Sequence, residues 1–292
     1  VSVVLPALNE EGTVGDIVGV IRSELMQAAP LVDELIVIDS GSTDRTAAVA
    51  AAAGALVYHR DEILPHVPSV PGKGEVLWRS LLAASGDVIA FVDADLRDFS
   101  SAFVRGPLGP LLTDPNVHLV KAMYDRPLEL PGRVSPDGGG RVTELVARPL
   151  VNLYWPELAG FVQPLGGEYA VRRHLLERLP FPCGYGIELA MLIDTLRMLG
   201  LDAMAQVDVG VRRHRHQDDR SLGRMASELW QAVVGRLHRE GRVRHLHGLN
   251  TTFAQFERAD GRFRVLNHDV AVLERPPMAE IAEYASRHAR AS

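Results

Sequence analysis

Short, wholly apolar runs alternate with helical-period stretches along the first 125 residues. Val3, Val4 and Leu5 form one run ending at Pro6, and Val14, Ile17, Val18, Ile21 and Leu25 then recur at the spacing of one helix face. Leu35, Ile36, Val37 and Ile38 form a second run, stopped by Asp39-Ser40-Gly41-Ser42. Thr43-Asp44-Arg45-Thr46 then opens an alanine-rich helix ending at Gly54. Residues 55–58 predict a third strand. Lys73-Gly74 precedes a helix around Val76, Leu77, Leu81 and Leu82, and residues 88–92 predict a fourth strand. Runs that are apolar throughout belong to strands covered on both faces, as in a parallel sheet with helical crossovers. In such sheets ligands gather beyond the carboxyl ends of the strands. Residues 7–10, 39–42 and 93–95 emerge there together.

After residue 125 the pattern changes. Residues 128–140 are rich in Pro and Gly, and Leu165-Gly166-Gly167-Glu168-Tyr169 reads as a turn into a strand. Residues 187–199 carry one apolar helical face, residues 203–209 read as a strand, and the chain is mostly helical from Ser221. Beyond His245 no period is clear. The expected class is therefore α/β: a Rossmann-like, mainly parallel sheet with flanking helices over residues 1–125, packed as one unit with a smaller, mostly helical half over residues 126–292.

Composition narrows the function. The chain has 292 residues, 47% of them hydrophobic and 23% charged, with a net charge of -6. That acidic balance offers nothing to nucleic acid. A single cysteine, Cys183, rules out an internal disulfide and a cysteine-based zinc site. No run approaches the ~20 apolar residues of a membrane span, so the expected partners exclude membranes and the expected location is the cytoplasm.

Asp93-Ala94-Asp95 follows the fourth strand, where carboxylates two residues apart point to one side. Such a pair attracts Mg2+ or Mn2+, which complete their shells with substrate phosphate and water. Pro6-Ala7-Leu8-Asn9-Glu10 and the turn at Ser40 offer backbone and polar groups to a nucleotide, or serve equally as capped turns. Lys73, between two glycines at a helix start, suits an anion. Residues 138–143, ending Gly140-Arg141-Val142-Thr143, combine exposed amides, a guanidinium fork and a hydroxyl suited to phosphate, or form only a flexible loop. His214 and His216 share a face after the later strand; an imidazole ligand would favour Mn2+. His245, His247 and Cys183 read as structural or solvent-exposed.

Taken together, these segments resemble the GT-A glycosyltransferases over residues 1–125. The motifs Pro71-Gly72-Lys73-Gly74-Glu75, Gly139-Gly140-Arg141-Val142-Thr143-Glu144, Gly184-Tyr185-Gly186-Ile187-Glu188 and Val211-Arg212-Arg213-His214 extend the likeness, to about residue 220, toward the glucosyl-3-phosphoglycerate synthase family. The resemblance implies a retaining, metal-dependent transfer of glucose from UDP-glucose to the 2-hydroxyl of 3-phosphoglycerate, by a homodimer. It implies that Pro6, Ala7, Leu8, Asn9, Glu10, Ser40, Lys73, Asp93, Ala94 and Arg212 hold the donor nucleotide. Tyr185, Gly186, Ile187 and Glu188 line the sugar, Asp95 and His214 ligate the metal, and Gly140, Arg141, Val142, Thr143 and His216 hold the acceptor. Glu188 and Asp95 stand nearest the chemistry. Retention is compatible with a covalent intermediate on Glu188 or with same-face attack in which Glu188 only orients the sugar. Competing readings are a mannosyl-3-phosphoglycerate-type or other GT-A transferase and a silent nucleotide-sugar sensor. A nucleotidyltransferase fits less well, because residues 7–10 lack a glycine-rich phosphate loop; an inverting transferase on a lipid acceptor lacks membrane segments and an evident base.

Overall fold

The apolar runs assemble into one seven-stranded sheet in the computed structural model, which describes residues 1–130, 133–135, 139–214, 218–244 and 248–289. The first part follows the expected alternation: β1 (Ser2–Ala7), α1 (Val14–Val20, continued by a π-helical stretch Ile21–Ala28), β2 (Glu34–Asp39), α2 (Thr46–Ala53), β3 (Leu56–His59), α3 (Lys73–Ala83) and β4 (Val88–Phe91). Next come β5 (Leu96–Arg97), α4 (Ala102–Thr113), β6 (Leu119–Asp125), a small hairpin of β7 (Leu128–Leu130) and β8 (Arg133–Ser135), and α5 (Arg148–Tyr154). They are followed by β9 (Tyr169–Arg172), α6 (Arg173–Leu176), β10 (Phe181–Pro182), α7 (Ile187–Leu199), β11 (Met204–Val211) and β12 (Arg213–His214). The chain continues through α8 (Asp219–Arg239), β13 (Thr252–Ala259), β14 (Arg262–Asp269), β15 (Glu274–Arg275) and α9 (Ala282–Ala289).

Strand order in the sheet is β11-β6-β9-β4-β1-β2-β3. β1 pairs in parallel with both β2 and β4, β2 with β3 and β6 with β11, whereas β9 runs antiparallel between β4 and β6. Strands from beyond residue 125 thus complete the sheet begun by the first half. Side chains alternate across it as period two requires. Val4, Ile36, Ile38, Ile89 and Phe91 face a core shared with Trp78 of α3 and Leu192 of α7. Val3, Leu5, Val37 and Ala90 face a second core with Ile17 of α1, Ala50 of α2 and Leu108 of α4. Full burial of each large apolar side chain contributes roughly 1.5–3 kcal/mol. The neighbours of β1 leave it in opposite directions, which opens a crevice at the carboxyl ends of β1 and β4.

Beyond residue 248 the chain forms the antiparallel hairpin β13–β14, which no apolar period foretold. Burial alternates along β13, but apolar side chains stand on both faces: Phe253 inward and Phe256 outward. The segment after it returns to the main body. β15 pairs with β10, and the Trp78 indole donates to Pro276 O at 2.8 Å. Among the described residues no helix is long and apolar enough to cross a membrane.

A buried ion triad fastens this return. Glu75 and Arg79, one helical turn apart on α3, are both fully buried; Arg79 Nε lies 2.7 Å from Glu75 Oε1, and Arg275 Nε of β15 lies 2.7 Å from Oε2. Arg79 also donates to the carbonyls of Leu64 and Val67 at 3.2 and 2.7 Å. Removing the carboxylate strands two guanidinium groups in or beside the core, a loss of about 3–5 kcal/mol. Glu75→Ala should lower the urea midpoint accordingly. An unchanged midpoint would show that the triad does not hold the tail strand in place.

Candidate active site

Three loops meet at the crevice and are sewn together by their own polar groups. Asn9 takes a left-handed conformation, φ 58°, which asparagine tolerates better than most residues. There its Oδ1 accepts Thr43 N–H at 2.8 Å and its backbone N–H donates to Ser42 Oγ at 3.0 Å. The Glu10 amide donates to Thr46 Oγ1 at 2.8 Å, Ser40 N–H to Ala7 O at 2.9 Å, and Thr13 Oγ1 to Ala94 O at 2.6 Å. The loops after β1, β2 and β4 therefore form one rigid rim. Ala7 and Ala94 are buried within it, Pro6 and Ser40 half-buried, and Leu8 exposed.

Below the rim lies a network of opposite charges. Lys73 opens α3, and its Nζ stands 2.5 Å from Asp93 Oδ1 and 2.8 Å from Glu188 Oε1. Arg212, 2% exposed, reaches Asp93 Oδ2 at 2.8 Å, Asp95 Oδ1 at 3.3 Å and Glu168 Oε1 at 2.9 Å. Tyr124 Oη closes the chain by donating to Glu168 Oε2 at 2.7 Å. Burial alone would raise Asp93, but Lys73 and Arg212 outweigh it and hold the carboxyl well below the carboxylate range. Asp95 goes the other way: burial, with Asp93 and Glu168 beside it, raises it against the pull of Arg212. Burial would lower Lys73, yet Asp93 and Glu188 keep it firmly protonated.

Two cations thus hold four carboxylates, and Asp95 is the least satisfied and the most open of them. Among the described residues no three His, Cys, Asp or Glu side chains form a metal cluster. The arrangement suits an ion that needs one or two protein ligands and takes the rest from phosphate. β12 pairs with β5 so that His214 stands in register with Leu96, one residue beyond Asp95. The backbone thereby brings that predicted ligand to the acidic triplet from the far half of the chain. His216, Gly138, His245 and His247 lie outside the described residues.

Tyr185 is half-exposed at the site, Gly186 precedes α7, Ile187 is buried, and Glu188 in the first turn of α7 meets Lys73. On the other flank Gly140, with φ +70°, begins the helical turn through Arg141, Val142 and Thr143. Arg141 is ion-paired with Asp219 at the start of α8, and Thr143 is buried. Gly139 N–H donates to Arg126 O at 3.0 Å, and the Arg126 charge in turn acts on Asp93.

Sequence patterns passed over four residues of this network. Tyr124 and Lys121 sit on a strand and Tyr169 and Glu168 at the start of another, where they read as ordinary strand or turn residues. Lys121 is fully buried, donates to Gly166 O and lies 4.5 Å from the centre of the Tyr169 ring. Gly167 packs on Asp93 so closely that a Cβ would fall 2.2 Å from Asp93 Oδ2. The signal for these residues was the Gly166-Gly167-Glu168 sequence, whose glycines permit that contact. Cys183 is buried and its thiol is pushed up to about 12 by burial and by Glu75, so it is inert. A cleft of about 670 Å³ runs from Asn9, Glu10 and Thr13 to Asp95 and Phe99, so the rim opens to solvent beside Asp95.

Comparison with known proteins agrees with this geometry. The model for the glycosyl transferase family 2 matches residues 2–104. The glucosyl-3-phosphoglycerate synthase of Mycolicibacterium smegmatis is 53% identical over 281 residues, 96% of this chain and 89% of the relative. The Mycobacterium tuberculosis synthase, solved with Mn2+, UDP-glucose and phosphoglyceric acid, superposes with a TM-score of 0.83 at 45% identity, covering 95% of this chain and 89% of that one. The same protein has been solved with Mg2+ and UDP. Mannosyl-3-phosphoglycerate synthase from Rubrobacter xylanophilus superposes with a TM-score of 0.87 at 43% identity, covering 96% and 87%.

Burial depresses Lys121 to about 8, below the ordinary lysine value of about 10.4. Below pH 8 both folded and unfolded chains carry the ammonium, and the fold bears the whole cost of burying it. Between about 8 and about 10.4 the folded chain loses its proton first, so stability rises with pH. The stability advantage of Lys121→Met over wild type should therefore shrink by roughly 3 kcal/mol between about pH 7 and about pH 11 in urea titrations. A pH-independent difference would mean that Lys121 is not the group responsible.

Proposed function

The chain belongs to the glucosyl-3-phosphoglycerate synthases, and from that premise we propose that it transfers glucose from UDP-glucose to the 2-hydroxyl of 3-phosphoglycerate with retention. The observation that carries the reading is the single network joining Lys73, Asp93, Asp95, Glu188 and Arg212. It draws the sugar-nucleotide rim and the sugar wall onto one set of charges. The relative 53% identical over 96% of this chain is a glucosyl-3-phosphoglycerate synthase, and another synthase of that name is solved with UDP-glucose and phosphoglyceric acid.

In this reading residues 6–10 and Ser40 hold the uridine, and Lys73 and Arg212 stand ready for the charge that grows on the leaving diphosphate. Asp95 and His214 hold a divalent cation, Mg2+ or Mn2+, which when bound neutralises diphosphate charge. Asp93 binds neither freely: Lys73 and Arg212 occupy both its oxygens, so it acts by fixing the two cations. Glu188 orients the hexose. Its ion pair with Lys73 blunts it as a nucleophile, which favours attack from the leaving-group face. There the glycosidic C–O bond to UDP breaks as the bond to the acceptor oxygen forms, and the acceptor proton passes to a donor phosphate oxygen. Gly140, Arg141, Val142, Thr143 and His216 receive the acceptor, with Arg141 turning from Asp219 to the phosphate. Residues 1–125 act as the donor half and residues 126–292 as the acceptor half.

We also propose a homodimer. Phe256, Phe263 and Val265 project from one face of the hairpin at 62%, 70% and 49% exposure, with Phe256 opposite Val265 in register. A self-complementary contact between two such faces would cover them. Phe256→Asp should shift the mass seen by light scattering to that of one chain; a variant that stays dimeric would place the contact elsewhere.

UDP release from UDP-glucose should require both 3-phosphoglycerate and Mg2+ or Mn2+. GDP-mannose and other sugar nucleotides run in parallel decide the donor. Acceptor-independent release, or none, would refute the assignment. Arg141→Ala should raise the KM for 3-phosphoglycerate at least about tenfold, as the loss of a charge-assisted phosphate contact implies, with little change for UDP-glucose. Equal losses for both substrates would remove Arg141 from the acceptor site.

A further inference from the structure

The turn that carries Tyr185 is gripped from two sides. On one side it lies against the start of α3. Gly74 N–H donates to Cys183 O at 2.9 Å, and a Cβ on Gly72 or Gly74 would fall 2.2 Å from Cys183 O or 1.9 Å from Pro182 O. Backbone therefore meets backbone beside Lys73. On the other side stands α8. A Cβ on Gly186 would fall 2.4 Å from Ala232 Cβ, and one on Gly184 would fall 2.3 Å from Glu228 Oε2. That same Oε2 accepts the Tyr185 backbone N–H at 3.0 Å.

Among the described residues nothing else binds the Glu228 carboxylate. Arg224, one turn earlier on α8, is engaged by Gln255 and Ser221 at 3.0 Å each. Besides the Tyr185 amide, only the charge of Arg224 offsets the burial of this carboxylate, which is costly, and packing α8 on α7 needs no such group. What it does achieve is local: it fixes the amide of Tyr185, next to Gly186, which starts α7. Two residues on, in the first turn of that helix, Glu188 meets Lys73.

We propose that Glu228 is a positioning residue for the sugar of the donor, holding Tyr185 and the first turn of α7 where the hexose meets them. The inference rests on the reading of residues 185–188 as the hexose wall. It predicts a loss confined to the sugar, because UDP alone meets the rim and the Lys73–Arg212 charges and not this turn.

Glu228→Ala should lower kcat/KM for UDP-glucose at least about tenfold, since small displacements near reacting atoms cost up to about a hundredfold. The KM for 3-phosphoglycerate and the inhibition constant of UDP should stay within about twofold. Glu228→Gln, whose side-chain carbonyl still accepts the Tyr185 amide, should recover activity to within about threefold of wild type. Calorimetry of UDP-glucose against UDP gives the same comparison without turnover: the extra affinity due to glucose should fall in Glu228→Ala and return in Glu228→Gln. Wild-type kinetics in Glu228→Ala, an equal loss of UDP and UDP-glucose binding, or no recovery in Glu228→Gln would each overturn the proposal. A wild-type protein that binds both nucleotides as predicted but never turns over 3-phosphoglycerate would instead overturn the acceptor assignment.

Discussion

Asp93 has no free oxygen, and much of the molecule is arranged around that fact. One oxygen is held by Lys73 from the start of α3, the other by Arg212 from the approach to β12. Arg212 is buried and Lys73 half-buried, so each needs carboxylates around it to offset the loss of water. The three segments can therefore occupy only one mutual arrangement. Gly167 has to be small because its backbone rests on the same carboxylate, and Glu168 has to be present because Arg212 has a second face to satisfy. The network brings a residue near 73, one near 93, two near 168 and 188, and one near 212 within reach of a single ligand.

That arrangement explains which parts were legible in the sequence. The β1–β4 alternation is local: each strand is an apolar run, and the helices between them start and stop at polar or glycine-containing turns, so this alternation could be read without tertiary information. The charged network is not local. Glu168 follows two glycines and reads as a turn, Lys121 interrupts an apolar strand as any surface lysine does, and nothing in their neighbourhoods marks them as partners of Arg212 or Asp93. Only shared motifs connected Glu188 and Arg212 to the site. The hairpin β13–β14 was invisible for a different reason. Phe253 and Phe256 stand three apart on opposite faces of the strand, so the apolar positions break the period of two that would mark a strand.

The antiparallel strand β9 shows how the second half joins the first. Inserted between β4 and β6, it delivers Glu168 and Tyr169 to the carboxyl end of β4, a place that a purely parallel sheet would fill from a strand of the opposite sense. The reversal also puts the Gly166-Gly167 turn on top of Asp93 instead of at the far edge of the sheet. Segments from before and after residue 125 thus share one sheet and one charged network.

Glycines mark where backbone itself forms the site. Gly72, Gly74, Gly167, Gly184 and Gly186 would each bring a Cβ within 2.4 Å of another atom, which for Gly72 and Gly74 is backbone carbonyl oxygen that cannot move aside on its own. Three of the obstructing atoms belong to groups central to the network or to its walls: the Asp93 carboxylate, the Cys183 carbonyl beside Lys73 and the Glu228 carboxylate. Close approach lets short links transmit position, so Lys73 and the turn before Glu188 are set largely by contacts between rigid elements. The raised Asp95, the most open of the four carboxylates, is where the surplus negative charge of the network meets solvent and invites a cation.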